Sequence, residues 1–205
     1  MNMKKNLLVA AVLAAMPCAA LAAESGPWTF RFGAHVVQPK SNNGSLAGGA
    51  LKSDVDDNWR PTLSLEYMLT PNLGVDLLAA LPFSHDVKLN GVKAASVKQL
   101  PPTLGVNWYF NPGGTVNPFV GVGLNYTRFF SIDEKGPLAG TRVSLDDSFG
   151  AAAHIGIDFA ISPRWGVTVD ARWMDIDTKV KVDGARVGTV AIDPLAFGVS
   201  AAYHF

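Results

Sequence analysis

From Trp28 to Phe205 the chain repeats with period two, and one of the two faces this produces carries no charge. Trp28, Phe30, Phe32, Ala34 and Val36 alternate with Thr29, Arg31, Gly33 and His35, and the pattern returns in residues 59–69, 73–83, 104–110, 120–127, 149–159, 165–173 and 195–205. Period two is the signature of a β-strand with distinct faces. A half-buried soluble sheet tolerates a charge on its apolar side. A strand wetted by lipid does not, because a Lys or Arg near mid-bilayer costs about 2–4 kcal/mol. All the strand charges (Arg31, Arg60, Glu66, Asp76, Asp158, Asp170, Arg172) fall on the opposite face, with glycines such as Gly33, Gly121 and Gly156 beside them. That split predicts an all-β fold, an eight-stranded antiparallel transmembrane β-barrel whose narrow lumen has little room for side chains.

Turns and girdles fit this topology. Residues 70–72, 111–117 and 162–164 make short connections, whereas residues 40–58, 84–96, 131–147 and 179–191 make long polar or Gly-rich ones. Short periplasmic turns and longer extracellular loops are the habit of outer-membrane barrels. Trp28, Trp108, Phe110, Trp165, Tyr203 and Phe205 then form one aromatic belt, and Trp59, Phe83, Phe149 and Trp173 the other. A periplasmic sandwich or a lipocalin-like barrel would have to hide this whole aromatic face.

The N-terminus agrees with export. Lys4 and Lys5 precede the apolar run Leu7–Ala15, and Ala20-Leu21-Ala22 offers a cleavage site. The expected organisation is a signal peptide at 1–22 and an outer-membrane barrel at 23–205. Cys18, the one cysteine, leaves with the signal, and Ala15-Met16-Pro17 before it does not suit lipid attachment. The mature chain would have no disulfide. Seventeen basic residues balance seventeen acidic ones, so no nucleic-acid partner is expected. After the signal no uncharged apolar run approaches the roughly 18 residues of a membrane helix.

Several segments resemble the OmpW family of outer-membrane proteins: Leu78-Ala79-Ala80-Leu81-Pro82-Phe83, Leu100-Pro101-Pro102-Thr103-Leu104, Trp108-Tyr109-Phe110, Gly121-Val122-Gly123-Leu124-Asn125-Tyr126, Met174-Asp175-Ile176-Asp177-Thr178 and the terminal Tyr203-His204-Phe205. The resemblance runs in order through the mature chain. It implies an eight-stranded barrel in the bacterial outer membrane with an apolar internal passage for small hydrophobic molecules, released sideways into the membrane.

Depth along the strands gives the expected site. Arg31, Glu66, Asp76 and Asp158 fall in the periplasmic half, near His204, as an ion-paired polar floor. Leu78, Ala80, Phe129 and Met174, with Pro82, Pro101, Ala152 and Pro194, face an apolar upper lumen that also holds Arg60 and Arg172. Pro61, Pro82, Pro101 and Pro102 each lack an N–H and cluster where a lateral opening would form. Tyr203 and Phe205 end the last strand and resemble the assembly signal of this protein class. The expected partners are outer-membrane lipids, small hydrophobic solutes and the outer-membrane assembly machinery. Neither a triad spacing nor a metal-ligand cluster is visible, so a non-enzymatic protein without cofactor or metal is expected. The other reading is a surface-exposed interaction protein, an adhesin or a phage or bacteriocin receptor. Strands projecting well past the membrane would favour it, and Lys179–Val182 before Asp183-Gly184 hints at one such hairpin.

Overall fold

The computed structural model describes residues 26–205. The expected signal peptide, with Cys18 and the cleavage site after Ala22, lies outside the described residues. Eight strands close into one antiparallel barrel: β1 (Trp28–Gln38), β4 (Asn58–Met68), β5 (Leu73–Ala80), β8 (Thr103–Tyr109), β9 (Val116–Glu134), β11 (Ser148–Ala160), β12 (Trp165–Met174) and β15 (Leu195–His204). Each pairs with the next in this order, and β15 pairs back onto β1, with Phe30 opposite Tyr203 and Gly33 opposite Ser200. The ends are tied as well, because Phe205 N–H donates to the Trp28 carbonyl and Trp28 N–H to that of Phe205. Closure leaves no edge unpaired in the hydrocarbon, where every backbone polar group needs a partner.

The outward face is apolar and exposed, with Phe32, Leu77, Leu104, Val122, Ile155 and Val199 among the residues that would meet lipid. Inside, side chains are packed against one another. Glycines make this possible at the tightest points: a Cβ at Gly198 would collide with the His35 ring, and one at Gly156 with Phe119.

The long connections are not loops, and this is the main departure from the sequence reading. Short strands β2 (Ser45–Leu46), β3 (Leu51–Val55) and β10 (Val143–Leu145), the hairpin β6–β7 (Phe83–Leu89, Val92–Leu100) and the hairpin β13–β14 (Asp177–Val182, Ala185–Ala191) continue the wall upwards. They pair in the order β10-β13-β14-β2-β3-β6-β7-β9, so the upper half of β9 belongs to this second tier. Asn90-Gly91 and Asp183-Gly184 supply consecutive positive φ values at the two hairpin tips, as tight hairpin turns require.

In this tier the polarity of the wall is inverted. Phe83, His85 and Leu89 of β6 are buried inside while Ser84, Asp86 and Lys88 face outwards; on β13, Thr178 and Val180 are buried and Lys179 is exposed. Lys93–Asp86, Lys88–Asp56 and Lys181–Asp146 pair on the outer surface. The lower barrel is greasy outside and polar inside; the upper tier is the reverse, as in a wall standing in water.

Phe83 corrects the expected upper aromatic belt. The strand breaks at Leu81-Pro82, which shifts the side-chain phase and turns Phe83 into the interior, where it is 2% exposed. Trp59, Phe149 and Trp173 remain on the outside, joined by Tyr126.

Candidate functional site

Along the axis the lumen has three compartments. At the end with the short turns, a polar mouth of about 670 Å³ is lined by Thr29, Arg31, Glu66, Tyr109, Asp158 and His204, among others.

Above the mouth sits a plug in two layers. Arg31 occupies the centre of the lower one: Nη1 donates to Glu66 (2.7 Å), Nη2 to Asp158 and the Tyr109 hydroxyl (both 2.9 Å), and Nε to Thr168 (3.0 Å). One guanidinium thereby ties β1 to β4, β8, β11 and β12. Glu66 is fully buried and also accepts from Tyr109 (2.7 Å) and Asn107 (2.9 Å). In the upper layer Arg172 reaches across the lumen to Asp76 with two bonds (3.1 and 3.2 Å) and back to Asp170 (3.3 Å). Asp170 also lies 3.1 Å from His35 and 3.0 Å from His154. The sequence reading put Arg172 in the apolar vestibule and grouped Asp76 with Arg31. Instead these two pair with each other, because a long guanidinium side chain spans a lumen that counting along one tilted strand treats as separate levels. The voids within the plug are about 10 Å³ each, too small to pass a solute.

A Thr62–His35–Asp170 chain of hydrogen bonds does exist in the plug, with Thr62 Oγ1 2.7 Å from His35 Nδ1. Thr62 and His35 are buried against voids of that size, so no substrate could reach the hydroxyl. Among the described residues, no three His, Cys, Asp or Glu side chains are placed to hold a metal ion.

The third compartment is apolar. Phe129 lines a narrow cavity of about 60 Å³ with Val97, Leu89, Val143, Val180 and Ile192, walled by both hairpins of the upper tier. Met174 does not line it: it belongs to the same buried apolar cluster but sits lower, against a void of the plug, with Sδ 3.7 Å from Asn125 and 3.9 Å from Thr103. Ala80 packs against the same cluster, to which Ala152 also belongs. Leu78 lies lower, among Thr62, Ser64 and His35 at the plug. Arg60 stands at the rim and donates to the carbonyls of Pro82 and Trp59. Most of this lining was missed in the sequence because it was read as loop. Asn90-Gly91 between two alternating runs was the available signal.

Beside this compartment the wall is interrupted. The β5–β8 ladder ends at Leu78 opposite Thr103, and the β6–β7 ladder begins at Phe83 opposite Gln99. Between them, Ala79–Pro82 faces Leu100–Pro102 without a ladder pair. Pro82 is exposed, not inward as read from the sequence, while Pro101 is buried. The Pro61 carbonyl accepts from Leu81, that of Pro102 from Tyr126, and those of Pro101 and Pro102 from Asn125 Nδ2. With the Pro82 carbonyl taken by Arg60, all four proline carbonyls at the break are partnered, which helps make it tolerable at the membrane edge.

Comparison with known proteins places the chain among barrels of this kind. The OmpW family model matches residues 24–205. The chain is 39% identical over 214 residues to Outer membrane protein W of Escherichia coli strain K12, covering 98% of this chain and all of that one. It is 25% identical over 195 residues to the dibenzothiophene metabolism operon protein PahQ of Pseudomonas aeruginosa, covering 89% of this chain and 90% of that one. Among solved structures it is similar to the outer membrane protein OprG of Pseudomonas aeruginosa, with a TM-score of 0.79 and 31% identity over 89% of this chain and 98% of that one.

Proposed function

Since the chain belongs to the OmpW family and is a β-barrel of the bacterial outer membrane, we propose that it carries small hydrophobic molecules passively from outside the cell through its upper lumen and releases them sideways into the membrane. The observation that carries this reading is the stacking of an apolar compartment directly on a sealed ionic plug. A hydrophobic solute gains by entering the first, whereas continuing downwards means breaking buried ion pairs at several kcal/mol. Pro61, Pro82, Pro101 and Pro102 frame the nearest interruption of the wall, and we assign the exit to it. The name of the PahQ relative associates that protein with an aromatic sulfur heterocycle, a molecule of the low polarity such a passage suits.

Vesicle uptake tests it. Reconstituted barrels should speed the entry of naphthalene over protein-free vesicles and leave a sugar unaffected. Replacing Pro101 and Pro102 together by Val restores two ladder donors and should slow naphthalene entry several-fold. Equal entry with and without protein would end the transport reading; full speed in the double variant would end the lateral exit.

A second reading has an observation of its own: the β6–β7 and β13–β14 hairpins project with charged outer faces, a surface that a host factor or phage could grip. A barrel serving only that role would not accelerate naphthalene entry.

Export and assembly complete the proposal, with residues 1–22 as signal peptide and Tyr203 and Phe205 as the segment read by the assembly machinery. Phe205 also seals the barrel against Trp28. Phe205→Asp should lower the amount of protein in outer-membrane fractions several-fold, as seen on unheated gels; wild-type levels would show that the terminal aromatic is not read.

A further inference from the structure

Two buried side-chain oxygens lack a partner among the described residues, Asn58 Oδ1 and Gln99 Oε1, and of these residues only Gln99 lines the apolar cavity. Gln99 is 2% exposed and lies in β7 directly before the Leu100–Pro102 side of the wall break. Its amide is oriented by His85, also buried, which lines the same cavity. His85 Nδ1 stands 2.6 Å from the Asp56 carbonyl, an acceptor, so Nδ1 carries the proton. Burial holds the imidazole below its ordinary range, the positive charge of Arg60 acts in the same direction, and the ring is therefore neutral near pH 7. Nε2 is then an acceptor and takes a hydrogen from Gln99 Nε2 at 3.1 Å. That bond fixes which end of the amide is engaged and leaves the Gln99 carbonyl oxygen without a partner in the wall of the apolar cavity.

We propose that Gln99, positioned by His85, is a selectivity site for apolar solutes bearing a single hydrogen-bond donor, such as phenols, alcohols and N–H heteroaromatics. A buried acceptor without a partner is costly, and a donor-bearing solute relieves it while its hydrocarbon body fills the space among Val97, Phe129 and Val180. A pure hydrocarbon entering the same space leaves the oxygen unpaired. The proposal rests on the passage reading for its biological use, yet binding at the site can be measured without flux.

The probes are 1-naphthol and naphthalene, compared on the mature barrel in lipid vesicles with wild type and Gln99→Leu side by side, so that partition into lipid cancels. Wild type should prefer naphthol over naphthalene by about fivefold more than Gln99→Leu does, the worth of one hydrogen bond. Unheated gel mobility reports whether the variant is folded. In the unaltered protein, naphthol but not naphthalene should shift the Gln99 side-chain carbonyl carbon resonance. Equal preference in both proteins, or an unmoved carbonyl resonance, overturns the site. Naphthol preference without accelerated entry would instead overturn the passage and leave the site standing, and accelerated entry without preference would do the opposite.

Discussion

Arg31→Met is expected to destabilise the barrel by about 3–5 kcal/mol, the range for breaking a buried ion pair on one side only. Glu66 is fully buried, and in the variant it would keep only Tyr109 and Asn107 as donors. Asp158 is better placed to recover, because its side chain is 15% exposed and opens on the lower mouth. The damage should therefore be concentrated on Glu66. Urea titration of the reconstituted protein would read it as a lowered midpoint, with earlier loss of the compact form on heating in SDS. Adding Glu66→Gln to Arg31→Met removes the stranded charge and should return a substantial part of the loss. A single variant as stable as wild type would mean that the plug is held by packing around Phe119 and Tyr109, not by its charges.

Val97→Lys is expected to cut the uptake of small apolar solutes at least about tenfold, since an ammonium in a narrow apolar passage is either hydrated, which blocks the path, or buried at high cost. Val97 is 6% exposed and lines the cavity. Its neighbour Lys98 is exposed on the other face of β7, which supplies the control: Lys98→Val removes a charge one residue away and should leave uptake unchanged. Both positions lie in the upper tier, outside the lipid-wetted belt, so unheated gel mobility should persist in each. Undiminished uptake with Val97→Lys would place the solute route elsewhere.

The lipid-facing half of the fold was legible because lipid is an unforgiving solvent: Leu63, Leu65, Val122, Ile155 and Val199 had to be apolar, so the eight membrane strands could be read off with their faces. The upper tier obeys the same period, but its charged residues face outwards. In residues 84–96, Asp86, Lys88 and Lys93 look like loop polarity until the buried His85 and Leu89 are set between them. Phe83 was misplaced because a two-residue break at Leu81-Pro82 reverses the phase, and alternation carries no marker for such a slip. Within the plug, acids and bases could be listed but not matched. The approach of His35, His154 and Arg172 to Asp170 joins β1, β11 and β12 across the lumen, and strand tilt and side-chain reach decide it. Gln99 could not have been singled out at all: its interest lies in what its oxygen does not touch.

The inversion of polarity along β9 acts as a waterline. Val120, Val122, Leu124 and Tyr126 face outwards below it, and Arg128 is the first outward charge above it. Sinking the barrel would draw Arg128 and Lys98 towards hydrocarbon, at a cost that rises to about 2–4 kcal/mol for each charge at mid-bilayer. Raising it would lift the lower belt of Trp108 and Phe110 off its interface. The molecule therefore floats at a fixed draught, set by its own hull and independent of the length of the hairpins above deck. The breach at Leu81–Pro82 and Pro101–Pro102 lies just below that line, level with Tyr126 of the upper aromatic belt, so under the proposed lateral exit a solute would enter the membrane at its outer interface and not the periplasm.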